Sequence, residues 1–239
     1  MNIKEEFIST LSHEIRTPLT SIKGFSKTML ESWDLLSDEQ KKKFLNIISQ
    51  QSQRLIDLVE NVLNVSKIDS GLSDTVLKKV DIVSLLNSCV ALVKGNYKDF
   101  DFNISLCSKE PVLADVNKLQ QVLINVLDNA AKYSKDSKKI DISLKNNKSF
   151  AIISIKNYGT YIEKEHYEKI FDKFYRIDTY LKSTAQGSGL GLYITKHLLD
   201  DMGGKIELNS SKDENFCEFV IYIPLYEVES ATKAALRKG

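Results

Sequence analysis

Two stretches near the start of the chain carry seam residues at alternating spacings of three and four positions, almost all of them apolar. The first seam comprises Ile8, Leu11, Ile15, Pro18, Ile22, Phe25 and Met29, and the second comprises Phe44, Ile48, Gln51, Leu55, Leu58, Val62 and Val65. This spacing is typical of the a and d positions of helical bundles. It predicts two long helices, over residues 3–32 and 38–69, that form an antiparallel hairpin.

The ends of these helices also carry signals. Ser37 with Gln40 three residues later is a capping-box pattern, and Gly71 is expected to end the second helix. Pro18 lacks a backbone donor and should bend the first helix just past His13. A hairpin with one apolar stripe on each helix cannot bury both stripes alone. Pairing two hairpins into a four-helix bundle would bury them, which predicts a homodimer.

Composition limits the classes of protein and partner. The chain has 239 residues, 42% of them apolar, enough for one large or two small domains. Lysine and arginine number 33 against 32 acidic residues, so no strong field favours nucleic acid or membrane lipid as a partner. The three widely spaced cysteines fit a reducing cytoplasm better than a disulfide framework or a metal cluster. With no run of 18 apolar residues, the sequence predicts a soluble chain.

After a linker at 71–80 the pattern changes to alternating strands and helices. Strands are predicted at 76–80, 100–107, 112–114, 139–145, 150–156, 205–210 and 216–223, and helices at 82–94, 116–133, 163–170 and 190–202. Asn146-Asn147 is the expected turn of a hairpin. A helical layer over a mixed sheet is an α/β sandwich. The predicted domains are therefore a helical domain at 1–70, an α/β domain at 71–225 and a polar tail at 226–239.

His13 falls on the side of its helix opposite the seam, about 200° from Leu11, so its imidazole should face solvent. Glu14 adjoins it and Thr17 lies one turn further on. Taken alone, this is the pattern of an ordinary surface histidine. A neutral imidazole nevertheless has a free lone pair for in-line attack, and a nearby carboxylate can fix its tautomer.

The segment SHEIRTPL, residues 12–19, resembles the phosphoacceptor box of the sensor histidine kinases of two-component systems. The resemblance implies that His13 accepts the γ-phosphoryl group of ATP and passes it to an aspartate on the receiver domain of a response regulator. It implies that Glu14 is the base that polarises His13. It also implies that Thr17 positions the water that removes phosphate from the regulator.

The helix at 116–133 carries a polar stripe of Asn125, Asn129 and Lys132, followed by Tyr133. Such a stripe is usually solvated surface, but its amide oxygens suit a hard cation and its ammonium suits phosphate. NVLDNAAKYS resembles the N box of the ATP-binding domain shared by histidine kinases, gyrases and Hsp90. The resemblance implies Asn129 as the principal Mg²⁺ ligand with Asn125 alongside, Lys132 on phosphate and Tyr133 against the nucleotide.

Two further segments resemble motifs of the same domain. KIFDKFYRID resembles the F box, in which Phe174 flanks the ATP lid and Arg176 would reach the γ-phosphate. The sequence after a predicted lid at 178–186 resembles the G2 box, whose glycines let backbone amides approach phosphate at a helix start. Its residues are Gly187, Ser188, Gly189, Leu190, Gly191 and Leu192.

The G1 box departs from the family pattern D-x-G-x-G. Gly159 is retained, but Asn157 replaces the adenine-binding aspartate and Tyr161 replaces the second glycine. The Asn157 carbonyl can still accept from the exocyclic amine of adenine, at an expected loss of ~1 kcal/mol, and its NH₂ can donate to ring N1. A guanine edge is a further alternative. A tyrosine at a position of positive φ would cost roughly 1–2 kcal/mol, and its ring would either block the base pocket or stack on the base.

The leading hypothesis is a homodimeric histidine kinase core that uses ATP and Mg²⁺ and hands phosphate to a response regulator. Sensor kinases usually carry membrane spans ahead of this helix, so we expect a cytoplasmic portion, with a membrane connection only through a sensor region absent from this chain. A naturally soluble kinase is the alternative. The alternative is a pseudokinase that acts as a regulator scaffold or phosphatase. An unrelated ATPase of the same superfamily leaves the His13 helix unexplained.

Overall fold

The computed structural model describes residues 3–71, 74–134, 137–177 and 188–227, with side chains from Leu11 onward. The predicted lid at 178–186, Gly187 and most of the predicted tail lie outside these residues. The chain divides into two compact units: the first comprises residues 1–71 and 187–190, and the second comprises residues 72–186 and 191–239. Among the helices of the described ranges, none combines the length and apolarity needed to cross a membrane.

The first unit is the predicted helical hairpin, with α1 at Ile3–Ser32 and α2 at Asp38–Asp69. Both halves of the capping box form, since Gln40 N donates to Ser37 Oγ and Ser37 N donates to Gln40 Oε1. Gly71 follows the end of α2 with φ of 66°, as a glycine at a helix C-terminus commonly does. The rings of Phe25 and Phe44 lie 5.0 Å apart between the two helices.

Burial within the hairpin is one-sided. Met29, Leu58 and Val65 are buried, and α1 continues through Pro18. Large apolar side chains remain exposed elsewhere on the hairpin: Leu19, Leu30, Trp33, Leu35, Leu45, Ile56, Val59 and Leu63. The described hairpin therefore leaves much of its apolar surface uncovered.

The second unit is a mixed sheet with helices on one face, which confirms the predicted fold class. Its helices are α3 (Ile82–Asn96), α4 (Val116–Lys132) and α5 (Gly191–Asp201). Its strands are β1 (Lys78–Val80), β2 (Asp101–Leu106), β3 (Val112–Ala114), β4 (Lys139–Asn146), β5 (Phe150–Tyr158), β6 (Lys205–Ser211) and β7 (Phe216–Pro224). The main sheet has the order β2-β4-β5-β7-β6, and only β2 and β4 pair in parallel; β1 and β3 form a separate antiparallel pair.

The core of this unit lies between the main sheet and the helices. Residues of β5 alternate between buried and half-buried, which is the pattern of a strand with one face packed. The buried face of β5 consists of Ala151, Ile153, Ile155 and Asn157. α4 supplies five fully buried side chains, namely Leu119, Val122, Leu123, Val126 and Leu127. Asn157 is thus a polar residue in line with the apolar core.

Two local predictions were wrong in detail. The helix predicted at 163–170 is two short 3₁₀ turns, Lys164–His166 and Lys169–Phe171. The β4–β5 turn is centred two residues later than predicted, at 148–149, because the Asn147 side chain accepts hydrogen bonds from the backbone N–H groups of Ser149 and Phe150. An asparagine side chain that accepts hydrogen bonds from the backbone two and three residues later stabilises a turn after itself. Dipeptide preferences do not capture this effect.

Candidate functional site

His13 lies on the exposed face of α1, as the helical spacing predicts. Thr17 is also exposed, and its Oγ1 donates to the His13 carbonyl oxygen at 3.2 Å, which holds the threonine one turn from the histidine. Because Pro18 has no N–H, the helical donor that the Glu14 carbonyl would normally meet is missing. The three predicted residues of the phosphoacceptor box therefore lie together on one helical turn.

The carboxylate of Glu14 is held by a partner that sequence reasoning missed. Arg54 Nη2 of α2 lies 3.0 Å from Glu14 Oε2, and the side chains of Arg54 and Glu14 are 24% and 15% exposed. The pair joins α1 and α2 directly beside His13. Nothing in the local sequence points to Arg54, because it lies 40 residues away and falls outside every recognised motif.

In the second unit, Asn125 connects α4 to the start of α5. Its Nδ2 donates to Thr195 Oγ1 at 2.7 Å, and a Cβ added to Gly191 would lie 2.5 Å from its Oδ1. Gly191 is therefore a point of close approach between the two helices. Thr195, which is 1% exposed, is a second residue that the sequence analysis missed. Its only sequence signal is its position one turn after Gly191.

The rest of the polar stripe on α4 faces outward. Asn129 is half-buried, and its side-chain amide makes no hydrogen bond to any residue within the described ranges. Lys132 is paired with Asp128 at 2.5 Å, and its side chain is 42% exposed. Tyr97 donates to the other oxygen of Asp128 at 2.9 Å. Asn129 thus offers an amide oxygen that a ligand can use. Lys132 is held in an ion pair with Asp128 that solvent partly reaches.

The end of α4 meets the turn that follows β5. Thr160 Oγ1 donates to the Tyr133 carbonyl oxygen at 2.5 Å, and Tyr133 is 36% exposed. Gly159 has φ of 88°, and its N–H donates to the Asn215 carbonyl oxygen at 2.8 Å. The retained glycine of the G1-like segment therefore makes the left-handed turn that brings this segment against α4.

Asn157 is almost completely buried, with 1% of the residue exposed. Its Nδ2 is the one buried side-chain nitrogen or oxygen without a hydrogen-bond partner in the described part of the chain. In the strand register it lies beside Ile140 of β4 and Cys217 of β7. Burial raises the pKa of the Cys217 thiol to about 12, which reflects how little water reaches this part of the sheet. An unpartnered donor in such surroundings is costly, which makes Asn157 a candidate contact for a bound ligand.

Tyr161 does not carry the strain that a positive φ would impose. Its backbone lies outside the left-handed region, unlike that of Phe174, whose φ is 63°. Its half-buried ring has its centre 5.4 Å from Lys212 Nζ, and the proximity of Tyr161 raises the pKa of Lys212. The Tyr161 side chain therefore lies toward the β6–β7 turn, and a tyrosine fits where the family has glycine.

The segment that resembles the F box is tied to its surroundings by its aromatic residues. Phe171 is buried, Phe174 is half-buried and Arg176 is exposed. Tyr175 OH lies 2.7 Å from His166 Nδ1. Lys173 Nζ lies 4.9 Å from the ring centre of Tyr193 on α5. The exposed Arg176 therefore extends from a fixed segment. It is a group that can meet an anion.

The described part of the G2-like segment starts at Ser188. Gly189 has φ of 69°, a conformation that favours glycine, and Leu190 is fully buried. Leu192 in the first turn of α5 is half-buried. Contacts between α4 and α5, between α4 and the turn after β5, and between Lys173 and α5 thus bring the N-like, G1-like, F-like and G2-like segments into one region. Gly187 lies outside the described residues.

Two family models match the chain. One, described as the His Kinase A (phospho-acceptor) domain, matches residues 3–71. The other, described as the histidine kinase-, DNA gyrase B- and HSP90-like ATPase, matches residues 114–227. The two matches follow each other in the order that the motifs predict.

Similar proteins are sensor proteins and histidine kinases. The sensor protein SrrB of Staphylococcus aureus strain MRSA252 is 35% identical over 226 residues, which cover 93% of this chain and 38% of SrrB. The chain thus spans well under half of that relative. The solved structure of histidine kinase ThkA in complex with response regulator TrrA has a TM-score of 0.70 and 28% identity, over 92% of this chain and 61% of ThkA. Acinetobacter baumannii AdeS, at 23% identity, has a TM-score of 0.66 over 90% of this chain and 98% of that chain, a likeness of fold.

Proposed function

This chain belongs to the sensor histidine kinases of two-component systems, and from that premise we propose that it transfers the γ-phosphoryl group of ATP to His13. A lone pair of the neutral imidazole attacks the γ-phosphorus as the bond to the leaving ADP oxygen breaks. The phosphoryl group then passes to an aspartate of a response regulator receiver domain. The observation that carries the proposal is the exposed His13 on a helix that also presents Glu14 and Thr17.

In this proposal Glu14 polarises His13, and Thr17 positions the water that hydrolyses phosphate from the regulator. The ion pair with Arg54 supports a fixed position for the Glu14 carboxylate. The bond from Thr17 Oγ1 to the His13 carbonyl supports a hydroxyl held one turn from the phosphoacceptor. The Glu14 carboxylate and the Thr17 hydroxyl would thus lower the barrier to reaction by being held in the right orientation, more than by binding a substrate tightly.

The residues of the second unit fit a nucleotide. A fully buried, unpartnered amide at Asn157 suits a base, and exposed cationic residues at Lys132 and Arg176 suit phosphates. Mg²⁺, when bound, supplies charge neutralisation at the phosphates, and the amide oxygens of Asn129 and Asn125 are the proposed ligands. The other proposed nucleotide contacts are Tyr133, Gly159, Tyr161, Phe174, Gly187, Gly189, Leu190, Gly191 and Leu192.

The proposed division of labour assigns dimerisation and phosphotransfer to 1–70, ATP binding to 71–225 and a tail to 226–239. The exposed apolar side chains of the hairpin support a homodimer that completes a four-helix bundle. We place this catalytic core in the cytoplasm, where ATP and response regulators are found. The name sensor protein, carried by the relatives, supports attachment to a membrane-anchored sensing region.

A direct test incubates the purified chain with Mg²⁺ and γ-labelled ATP and asks whether the label is acid-labile, as phosphohistidine is. We expect labelling of the unmodified chain and none in His13→Ala, while nucleotide affinity stays unchanged. Substitution His197→Gln is the matched control, because His197 lies on α5 and should not be the acceptor. Label that persists in His13→Ala would contradict the proposal.

The departures from the family pattern at Asn157 and Tyr161 define one alternative to test, a pseudokinase that acts as a regulator scaffold or phosphatase. Nucleotide titration separates the two functions. A chain that binds no nucleotide, takes no label and still binds a receiver domain would be the scaffold or phosphatase. Binding of nucleotide without labelling would indicate that the γ-phosphoryl group cannot pass from the bound ATP to His13.

A further inference from the structure

The buried amide of Asn157 is not explained by phosphoryl transfer itself. Its Nδ2 has no acceptor in the described part of the protein, although the residue is 1% exposed. A buried donor without a partner costs free energy, and a ligand atom that accepts from it recovers that cost. Asn157 therefore calls for a ligand that presents a hydrogen-bond acceptor.

The position of Asn157 indicates which part of a nucleotide would meet it. The residue follows Ile153 and Ile155 on the inward face of β5, so it lies at core depth. Tyr133 and Lys132, at the end of α4, are exposed. A nucleotide that keeps its charged phosphates near solvent inserts its base, the less polar part, toward the core. The purine edge farthest from the sugar carries positions 1 and 6, and that edge reaches the deepest group.

The chemistry of this edge differs between purines. Adenine presents a donor at position 6 and an acceptor at position 1, whereas a 6-oxopurine presents an acceptor at position 6 and a donor at position 1. A carboxylate only accepts, so it matches one atom of either edge and repels the other. An amide has one donor and one acceptor, and half a turn about its terminal bond exchanges them. It can therefore pair with both atoms of either edge.

We infer that Asn157 makes this site accept 6-oxopurine nucleotides, those of hypoxanthine and guanine, as well as adenine nucleotides. This specificity presupposes the nucleotide binding proposed above. Hypoxanthine is the sharper probe, because it differs from adenine only at positions 1 and 6, while guanine adds an amino group at position 2. The unmodified chain should bind IDP within about tenfold of ADP, since each base satisfies the Asn157 amide in one of its two orientations.

The test titrates the full chain with ADP and with IDP, in the presence of Mg²⁺, by calorimetry. In Asn157→Asp the carboxylate faces the 6-oxo group, so we expect IDP to bind about tenfold more weakly relative to ADP than in the unmodified chain. Asn117→Asp is the matched control. It makes the same chemical change on the exposed first turn of α4 and should leave the IDP-to-ADP ratio unchanged.

Two results would overturn the inference: IDP binding more than about a hundredfold weaker than ADP in the unmodified chain, or an IDP-to-ADP ratio that Asn157→Asp leaves unchanged. If Asn157→Asp does not fold, ADP is compared on the unmodified chain with 1-deaza-ADP, which lacks the N1 acceptor. About tenfold weaker binding of 1-deaza-ADP supports donation from Asn157, and equal binding overturns it. Failure of a folded chain to bind even ADP would instead overturn the proposed function, and base specificity with it.

Discussion

A methyl group on Gly191 would lie 2.5 Å from Oδ1 of Asn125, closer than unbonded atoms can approach. The Asn125 side chain has little freedom to move away, because its Nδ2 donates to Thr195 Oγ1 at 2.7 Å. The start of α5 and the middle of α4 are therefore joined at a distance that only glycine permits. The polar residues of the candidate nucleotide site lie on or beside these two helices.

Substitution Gly191→Ala should therefore destabilise the second unit. Overpacking of a fixed site typically costs about 1–3 kcal/mol, and here it either displaces Asn125 from Thr195 or moves α5. Urea denaturation measures the loss in the free energy of unfolding, and ADP titration should show weaker binding in the same variant.

Gly95→Ala is the control for this prediction. Gly95 lies in α3, and a Cβ added there meets no atom within 4 Å. The alanine should leave the free energy of unfolding unchanged or raise it by roughly 0.5–1 kcal/mol, as is usual for glycine in a helix. Equal effects of the two substitutions would contradict the role assigned to Gly191.

The sequence predicts the secondary structure of this chain well because its patterns are local. The observed bounds of α1 and α2 match the predicted ones, and Ser37 with Gln40 marks the start of α2. Strands β4 and β5 follow their period-two alternation to within two residues at each end. Where a helix or strand packs one face on a core, the spacing of apolar residues records that face.

The contacts that fix the site are not local, and the sequence does not predict them. Arg54 and Glu14 are 40 residues apart, and Asn125 and Thr195 are 70 residues apart. Backbone conformation at loops escapes prediction for the same reason. Positive φ is found at Phe174, which no local pattern predicts, and not at Tyr161, where the family glycine suggested it.

The ion pair between Glu14 and Arg54 should contribute to the stability of the hairpin. Both side chains are mostly buried, so the pair is less screened than a surface salt bridge, and we expect a coupling of about 1 kcal/mol. A double-mutant cycle with Glu14→Gln and Arg54→Met measures it by urea denaturation. Arg16→Met, at an exposed arginine of α1, should change the free energy of unfolding by less than about 0.5 kcal/mol.

The substitution Arg54→Met also tests how Arg54 acts on catalysis. If Arg54 holds Glu14 beside His13, Arg54→Met should slow labelling of His13 and leave the affinity for ADP unchanged. Arg54→Lys, which keeps a cation, should restore part of the rate. An unchanged labelling rate in Arg54→Met would show that the ion pair is structural only.

The hydrogen bond between His166 and Tyr175 should position Arg176. Tyr175 OH lies 2.7 Å from His166 Nδ1, next to Phe174 with its φ of 63°. Loss of this bond in Tyr175→Phe removes about 1 kcal/mol of restraint, so we expect labelling of His13 to slow about fivefold with ADP affinity unchanged. Tyr167→Phe is the matched control, because the Tyr167 hydroxyl that it removes donates to the Ser210 carbonyl oxygen and not to His166. The labelling rate of this variant should equal that of the unmodified chain. Equal rates in the two variants would argue against a positioning role.

The hydrogen bond from Tyr158 to Asp141 should make stability depend on pH. Burial works to raise the pKa of Asp141, but hydrogen bonds from Tyr158, Asn103 and Lys139 outweigh it and hold the pKa below its usual 3.8. The bond to Asp141 raises the pKa of Tyr158 to about 12. The contribution of Asp141 to the free energy of unfolding is therefore complete above the pKa that it has in the unfolded chain. It is lost as pH falls through the lower pKa that it has in the folded chain. The Tyr158 contribution is complete below its unfolded pKa of about 10 and is lost as pH rises through about 12.

The difference in free energy of unfolding between the unmodified chain and Tyr158→Phe should be largest in the pH range where Asp141 is ionised and Tyr158 is protonated. We expect about 1–2 kcal/mol between roughly pH 5 and 9, because a hydroxyl donates to a charged carboxylate at 2.6 Å, and a decline below about pH 4. Urea denaturation at several pH values measures it. Tyr167→Phe serves again as the comparison, since a backbone carbonyl does not titrate and its difference should stay flat across the same range. Parallel curves for the two variants would mean that Asp141 does not titrate through this bond.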